Sequence, residues 1–138
     1  MLKDRSLNHD TLVTGTDPRE AAVLVTRYLR ENPAVKVVLA TGQADTEGAG
    51  LAVEESFRDG DFFVAGFDLS PELIRLIQNG TISCTIDQQP YVQGFYPVVQ
   101  LAHWCRYGLK PASIDAGVTV IDRTNVNVVS DLCQMGYR

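Results

Sequence analysis

The stretch Phe62-Phe63-Val64-Ala65-Gly66-Phe67, followed by Asp68-Leu69-Ser70-Pro71-Glu72, decides how the rest of the chain is read. Six nonpolar residues in a row are short for a helix. They are also too uniformly apolar for a strand with one wet face, so they predict a strand buried on both sides. Ser70-Pro71 then starts a helix. A hydroxyl can accept from a free first-turn amide, and a proline ring suits the first helical position. Leu73, Ile74 and Ile77 form the buried stripe of that helix, and Gly80 after Asn79 closes it.

The same strand-then-helix order recurs on both sides. Upstream, Asp17-Pro18-Arg19-Glu20 predicts a capped helix with Ala21, Leu24, Val25, Tyr28 and Leu29 on one stripe, ending near Asn32-Pro33. Val35 to Ala40 predicts a buried strand, Thr41-Gly42-Gln43 a turn, and Asp45 to Arg58 a second helix with Ala49, Ala52, Val53 and Phe57 inward. Asp59-Gly60 stops that helix. Downstream, Ile82 to Ile86 predicts a third strand, and 90–107 a longer helix ending at Gly108. Pro97 either kinks this helix or marks its start. Val118 to Ile121 reads as a late strand, and about 125–135 as a closing helix. Asp10 to Val13 is expected as an additional first strand. The Pro- and Ala-containing loop 110–115 is expected to detach the last strand and helix from the body. Alternating strands and helices with short connections predict an α/β fold, a parallel sheet flanked by helices.

With 138 residues, the chain is one domain long and can bury about two thirds of its unfolded surface, so it needs no disulfide or metal staple. Hydrophobic residues make up 45% and charged residues 21%, an ordinary globular balance. The net charge of −5 and the lack of any Lys/Arg block argue against nucleic acid as a partner. Cys84, Cys105 and Cys133 cannot all pair within one chain. No C-x-x-C occurs, which argues against a disulfide scaffold and a zinc knuckle, while one disulfide plus a free thiol stays open. The opening Met1-Leu2-Lys3-Asp4-Arg5 is not a secretory signal, which taken alone reads as cytoplasmic.

In open α/β sheets, ligands bind beyond the carboxyl ends of the strands. Thr41-Gly42-Gln43, Phe67-Asp68 and Asp87-Gln88-Gln89 occupy those ends. Carboxylates and amides on one rim suit a neutral ligand with many hydroxyls, and an aromatic face suits the C–H face of a sugar ring. Phe67, Tyr91 and Tyr96 are the aromatic candidates. A structural role competes in each case: Asp68 lies near the start of the Ser70-Pro71 helix, and Asp87 is expected to cap the helix that begins at Pro90. Gly42 and Gly48 are read as turn and packing glycines. There is no P-loop, no G-x-S-x-G elbow and no complete dinucleotide fingerprint, so neither a cofactor nor enzymatic activity is expected. His103 and Cys105, two apart on a helix, face different ways.

The block 64–72 (VAGFDLSPE), followed by Asn79-Gly80-Thr81-Ile82 and by 85–94 (TIDQQPYVQG), resembles the type 1 periplasmic sugar-binding proteins, the solute-binding components of ABC sugar importers. The resemblance runs from about Gly15 to Arg138. It implies two α/β lobes closing on a sugar or related polyol, of which this chain would be the C-terminal lobe, a fragment lacking the N-terminal one. It implies that Asp68 and Gln88 bind ligand, and that 90–121 belongs to, or swaps into, the absent lobe. Exposed apolar surface and a homodimer would follow. Many relatives carry Asn-Asp where this chain has Gly42-Gln43, and Gln43 is the candidate substitute. The resemblance further implies a membrane permease as partner and a periplasmic or lipid-anchored location. The effector domain of a LacI-type regulator shares this fold and is the alternative.

Overall fold

The computed structural model describes residues 8–57 and 60–137. Five helices, α1 (Pro18–Glu31), α2 (Gln43–Ser56), α3 (Pro71–Asn79), α4 (Pro90–Tyr107) and α5 (Val126–Gln134), alternate with four strands, β1 (Val37–Leu39), β2 (Phe63–Phe67), β3 (Cys84–Asp87) and β4 (Thr119–Asp122). The caps work as their residue types predict. Asp17 Oδ1 accepts from the Glu20 amide at 2.9 Å and Ser70 Oγ from the Leu73 amide at 3.0 Å. Gly80 and Gly108 end α3 and α4 in the left-handed region, at φ 90° and 67°. Arg58 and Asp59, expected at the end of α2, lie outside the described residues, as does Arg138.

The strands form one sheet in the order β1-β2-β3-β4. β1, β2 and β3 run parallel, with Leu39 beside Ala65 and Phe67 beside Ile86. β4 corrects the expectation of an all-parallel sheet, because it pairs antiparallel with β3, with Asp87 opposite Thr119. The cause lies in α4, which contains no buried residue and does not fold back across the sheet as a crossover helix must. The chain re-enters at the edge it left, where Gln89 Nε2 donates to the Ala116 carbonyl at 2.5 Å. A strand entering there runs opposite to its neighbour.

One face of the sheet is the core face. Val64 and Gly66 of β2, Thr85 and Asp87 of β3 and Ile121 of β4 are buried there. Leu73, Leu76 and Ile77 of α3 and Val126, Val129 and Cys133 of α5 pack into the same core. Each fully buried Leu or Ile contributes about 1.5–3 kcal/mol. The closing strand and helix are therefore not detached, contrary to the sequence expectation, because the stripe Val126, Val129, Cys133 joins the common core. On the opposite face Val37, Leu39, Phe63 and Val120 remain exposed.

Two further expectations shift. Asp10 to Val13 forms no strand. Instead the Tyr28 hydroxyl donates to the Asp10 carboxylate, which ties the start of this segment to α1. β3 begins at Cys84 rather than Ile82, because the Ile82 amide is tied to the Leu76 carbonyl at 3.0 Å and its side chain fills the core under α3. Pro97 lies inside a helix that begins at Pro90, so it does not mark the start. Among the described residues, no helix is long and apolar enough to cross a membrane.

Glycine is required where α2 meets the sheet. A Cβ on Gly66 would lie 2.0 Å from Thr46 Oγ1, and one on Gly48 would lie 2.5 Å from Ala21 Cβ of α1. Neither neighbour has room to withdraw, since Thr46 and Ala21 are both fully buried. Gly66→Ala is expected to cost about 1–3 kcal/mol through overpacking, read as a lower midpoint of denaturant unfolding. An unchanged midpoint would contradict this packing.

Candidate functional site

The carboxyl ends of β1, β2 and β3 lie along one rim of the sheet, as parallel pairing requires. Phe67 and Ile86 are register partners, so Asp68 and Gln88 leave neighbouring strands within reach of each other. Gln88 Nε2 donates to Asp68 Oδ1 at 3.0 Å, and both side chains are half-buried. Among the described residues, no donor is bonded to Asp68 Oδ2 and none to Gln88 Oε1. The pair thus offers two adjacent acceptor oxygens at the rim, held by an internal hydrogen bond. Adjacent hydroxyl groups are the donors that such a pair matches.

The backbone around this pair is unusual. Asp68 adopts a left-handed conformation at φ 67°, as does Gln89 at φ 52°. Asp tolerates this region better than most residues, at a cost of about 1–2 kcal/mol. The Asp68 amide extends the β2–β3 ladder by donating to the Ile86 carbonyl at 2.9 Å, and its own carbonyl accepts from Thr85 Oγ1 at 2.9 Å. The helix-start role considered for Asp68 goes to Ser70 alone, whose hydroxyl is the cap of α3. That hydroxyl also donates to Glu47 Oε2 at 2.8 Å, tying α3 to α2.

Asp87 is fully buried and does not cap α4. Its Oδ1 accepts from the Gln89 amide at 2.9 Å, within the turn that precedes the helix. Gln93 Nε2 reaches back to the Gln88 carbonyl at 2.6 Å and fixes the same turn.

The remaining sequence candidates are more spread out. Gln43 is the first residue of α2, exposed at the end of β1. Phe67 is the last residue of β2, half-buried next to Asp68. Both lie on the rim. Tyr91 sits in the first turn of α4, with its ring stacked on Phe95 at 5.7 Å and edge-on to Tyr137 at 5.1 Å, inside an aromatic cluster that also includes Tyr96. Among the described residues, the side chains of Gln43, Phe67 and Tyr91 make no hydrogen bond to Asp68 or Gln88. A hollow between α4 and 111–116 is lined by residues including Gln93, Tyr96, Leu101, Pro111 and Ile114, with neither Asp68 nor Gln88 in its lining.

Two rim supports were not read from the sequence. Thr46 Oγ1 donates to the Gly42 carbonyl at 2.5 Å and accepts from the Phe67 amide at 3.0 Å, so it joins the ends of β1 and β2 where β1 has turned away. Thr85 does the corresponding work between β3 and Asp68. The available signal was a hydroxyl in each of two runs otherwise suited to burial, 46–53 and 84–86.

Cys84, Cys105 and Cys133 are free, and burial pushes the Cys84 and Cys133 thiols above their ordinary range, with Asp122 and Asp87 adding to the respective shifts. Among the described residues, no group of three or more His, Cys, Asp or Glu side chains gathers to hold a metal.

Comparison with known proteins agrees with this architecture. Residues 4–108 match the periplasmic binding protein domain, and the chain belongs to that family. Over 124 residues it is 30% identical to the xylose/arabinose-binding protein of Sulfolobus acidocaldarius, covering 85% of this chain and 31% of that protein. A carbohydrate transporter from Acidothermus cellulolyticus, solved in complex with myo-inositol, superposes with a TM-score of 0.78 at 26% identity, over 91% of this chain and 44% of the other. A glucose-galactose binding protein from Geobacillus stearothermophilus gives 0.73 at 28% identity, over 81% and 40%. The chain thus has the α/β architecture of a type 1 periplasmic binding protein lobe. It spans under a third of the curated relative and less than half of these solved ones.

Proposed function

We propose that this chain forms one wall of a sugar-binding cleft, as part of the solute-binding component of an ABC sugar importer. The Asp68–Gln88 pair carries the reading. It supplies two neighbouring acceptor oxygens at the carboxyl edge of a parallel sheet, in a chain of this family. Support for the ligand class comes from the relatives, which are named for pentoses and hexoses or hold myo-inositol. Asp68 and Gln88 accept hydrogen bonds from adjacent hydroxyls of a monosaccharide or inositol-like polyol. Gln43 adds an amide from the end of β1, Phe67 lies against the ring, and Tyr91 edges the rim from α4. The protein binds and releases its ligand without turning it over. Closure of the cleft reports occupancy to a membrane permease, on the extracytoplasmic side, with the protein periplasmic or lipid-anchored.

This chain supplies one lobe of the cleft, and 90–121 reaches toward the facing lobe through α4. One wall leaves much of a sugar wet, so its affinity is Kd on the order of 1 mM or weaker. NMR titration with arabinose, xylose, galactose and myo-inositol is expected to shift the Asp68 and Gln88 signals in fast exchange. Asp68→Ala and Gln88→Ala each weaken the titration about tenfold or more, the loss of a charge-assisted or paired hydrogen bond. Micromolar binding would overturn the single-wall reading. Saturable shifts centred away from the rim would overturn the residue assignment.

The exposed apolar surface is covered by a second copy of this chain. Phe95, Leu101 and Trp104 of α4 and Val37, Leu39 and Phe63 of the open sheet face are large nonpolar side chains left exposed. Light scattering is expected to give a mass above the 15.2 kDa monomer, rising with concentration. A monomeric mass at high protein concentration would contradict this self-association.

A further inference from the structure

We propose that Thr85 is a positioning residue of the rim, its hydroxyl holding Asp68 in the left-handed conformation that presents the carboxylate to Gln88 and to ligand. This rests on the sugar-binding reading of Asp68 for its functional consequence, but not for its geometry.

A residue other than glycine pays a conformational penalty at φ 67° and stays there only when its surroundings fix it. Two bonds fix the Asp68 backbone. Its amide donates to the Ile86 carbonyl at 2.9 Å, which continues the parallel ladder by one residue. The positive φ then takes the Asp68 carbonyl out of that ladder, and Thr85 Oγ1 meets it at 2.9 Å. Thr85 is fully buried in the sheet, with Gly66 and Ile121 as its register partners. A buried hydroxyl needs a partner, and so does a carbonyl turned inward. Each is the other's partner here. Among the described residues, no other donor is bonded to the Asp68 carbonyl.

The residue type follows from this arrangement. Valine fills the same volume and is the ordinary choice for a buried strand, but it would leave the Asp68 carbonyl without a donor. The chain would then relax toward extended backbone, carrying the carboxylate away from Gln88 Nε2. Serine retains the donor. Thr85 touches no ligand position itself and acts through Asp68.

The test uses NMR on the full chain, first without sugar. In the wild-type protein the Thr85 hydroxyl proton is expected to exchange slowly and to show a nuclear Overhauser contact to the amide of Leu69. In Thr85→Val, the Cα shift and amide coupling of Asp68 move from left-handed to extended values. The Gln88 side-chain amide protons exchange about fivefold faster, as expected for loss of one ordinary hydrogen bond. Thr85→Ser keeps the wild-type values. With sugar added, Thr85→Val weakens the titration about tenfold, and Thr85→Ser restores it. A Thr85→Val protein that keeps the left-handed Asp68 signature and the Gln88 protection would overturn the proposal. So would a wild-type Thr85 hydroxyl that exchanges freely, a measurement that stands even where the valine variant fails to fold. Sugar binding unchanged in Asp68→Ala would remove the sugar-binding reading, while the sugar-free measurements would still decide the role of Thr85.

Discussion

The parallel pairing of β2 with β3 is the constraint on which the rest of this structure depends. Its register sets Phe67 beside Ile86, so the residues that follow, Asp68 and Gln88, emerge on one edge and bond to each other. A slip of one residue would carry Asp68 to the other face of the sheet and separate the pair. The packing that prevents such a slip is specific. Val64, Gly66, Thr85 and Ile121 all face the helices, and Gly66 allows Thr46 to approach so closely that its hydroxyl reaches the Phe67 amide. Core packing and rim geometry are therefore the same set of contacts seen from two sides.

Much of this was legible in the sequence because the signals were local. Ser70-Pro71 and Asp17-Pro18 start helices for reasons that need only a few neighbouring residues, and both caps form. The apolar run 62–67 could be read as a buried strand without knowledge of its partner. Asp68 and Gln88 could be placed at strand ends because an open α/β sheet puts its ligands there. What could not be read depended on partners distant in the chain. The direction of β4 follows from where α4 fails to pack, and no local pattern in 118–121 records that. Asp10 to Val13 looks extended enough for a strand, but a strand also needs an edge, and Asp10 is held by Tyr28 instead. The hydroxyls of Thr46 and Thr85 gain their meaning only when β1, β2 and β3 lie side by side.

The rim is an open edge, and that bears on affinity and specificity together. Asp68 and Gln88 present two acceptor oxygens there, and in the proposed function a sugar held by that one edge keeps most of its contact with water. Gln43, exposed at the end of β1, is the amide that the proposed function adds to this pair. The aromatic rings of Tyr91, Phe95 and Tyr137 pack on one another rather than on the Asp68–Gln88 pair. On the proposed reading, discrimination among polyols rests chiefly on the geometry of these two hydrogen-bonding side chains.

A crystal structure of the protein soaked in a pentose or in myo-inositol tests that geometry most directly. The account predicts an ordered ligand at the carboxyl edge, with hydroxyl groups within hydrogen-bond distance of both the Asp68 carboxylate and the Gln88 side-chain carbonyl, and Asp68 still left-handed. An ordered ligand elsewhere with the rim empty, or an Asp68 and Gln88 that point apart, would contradict it.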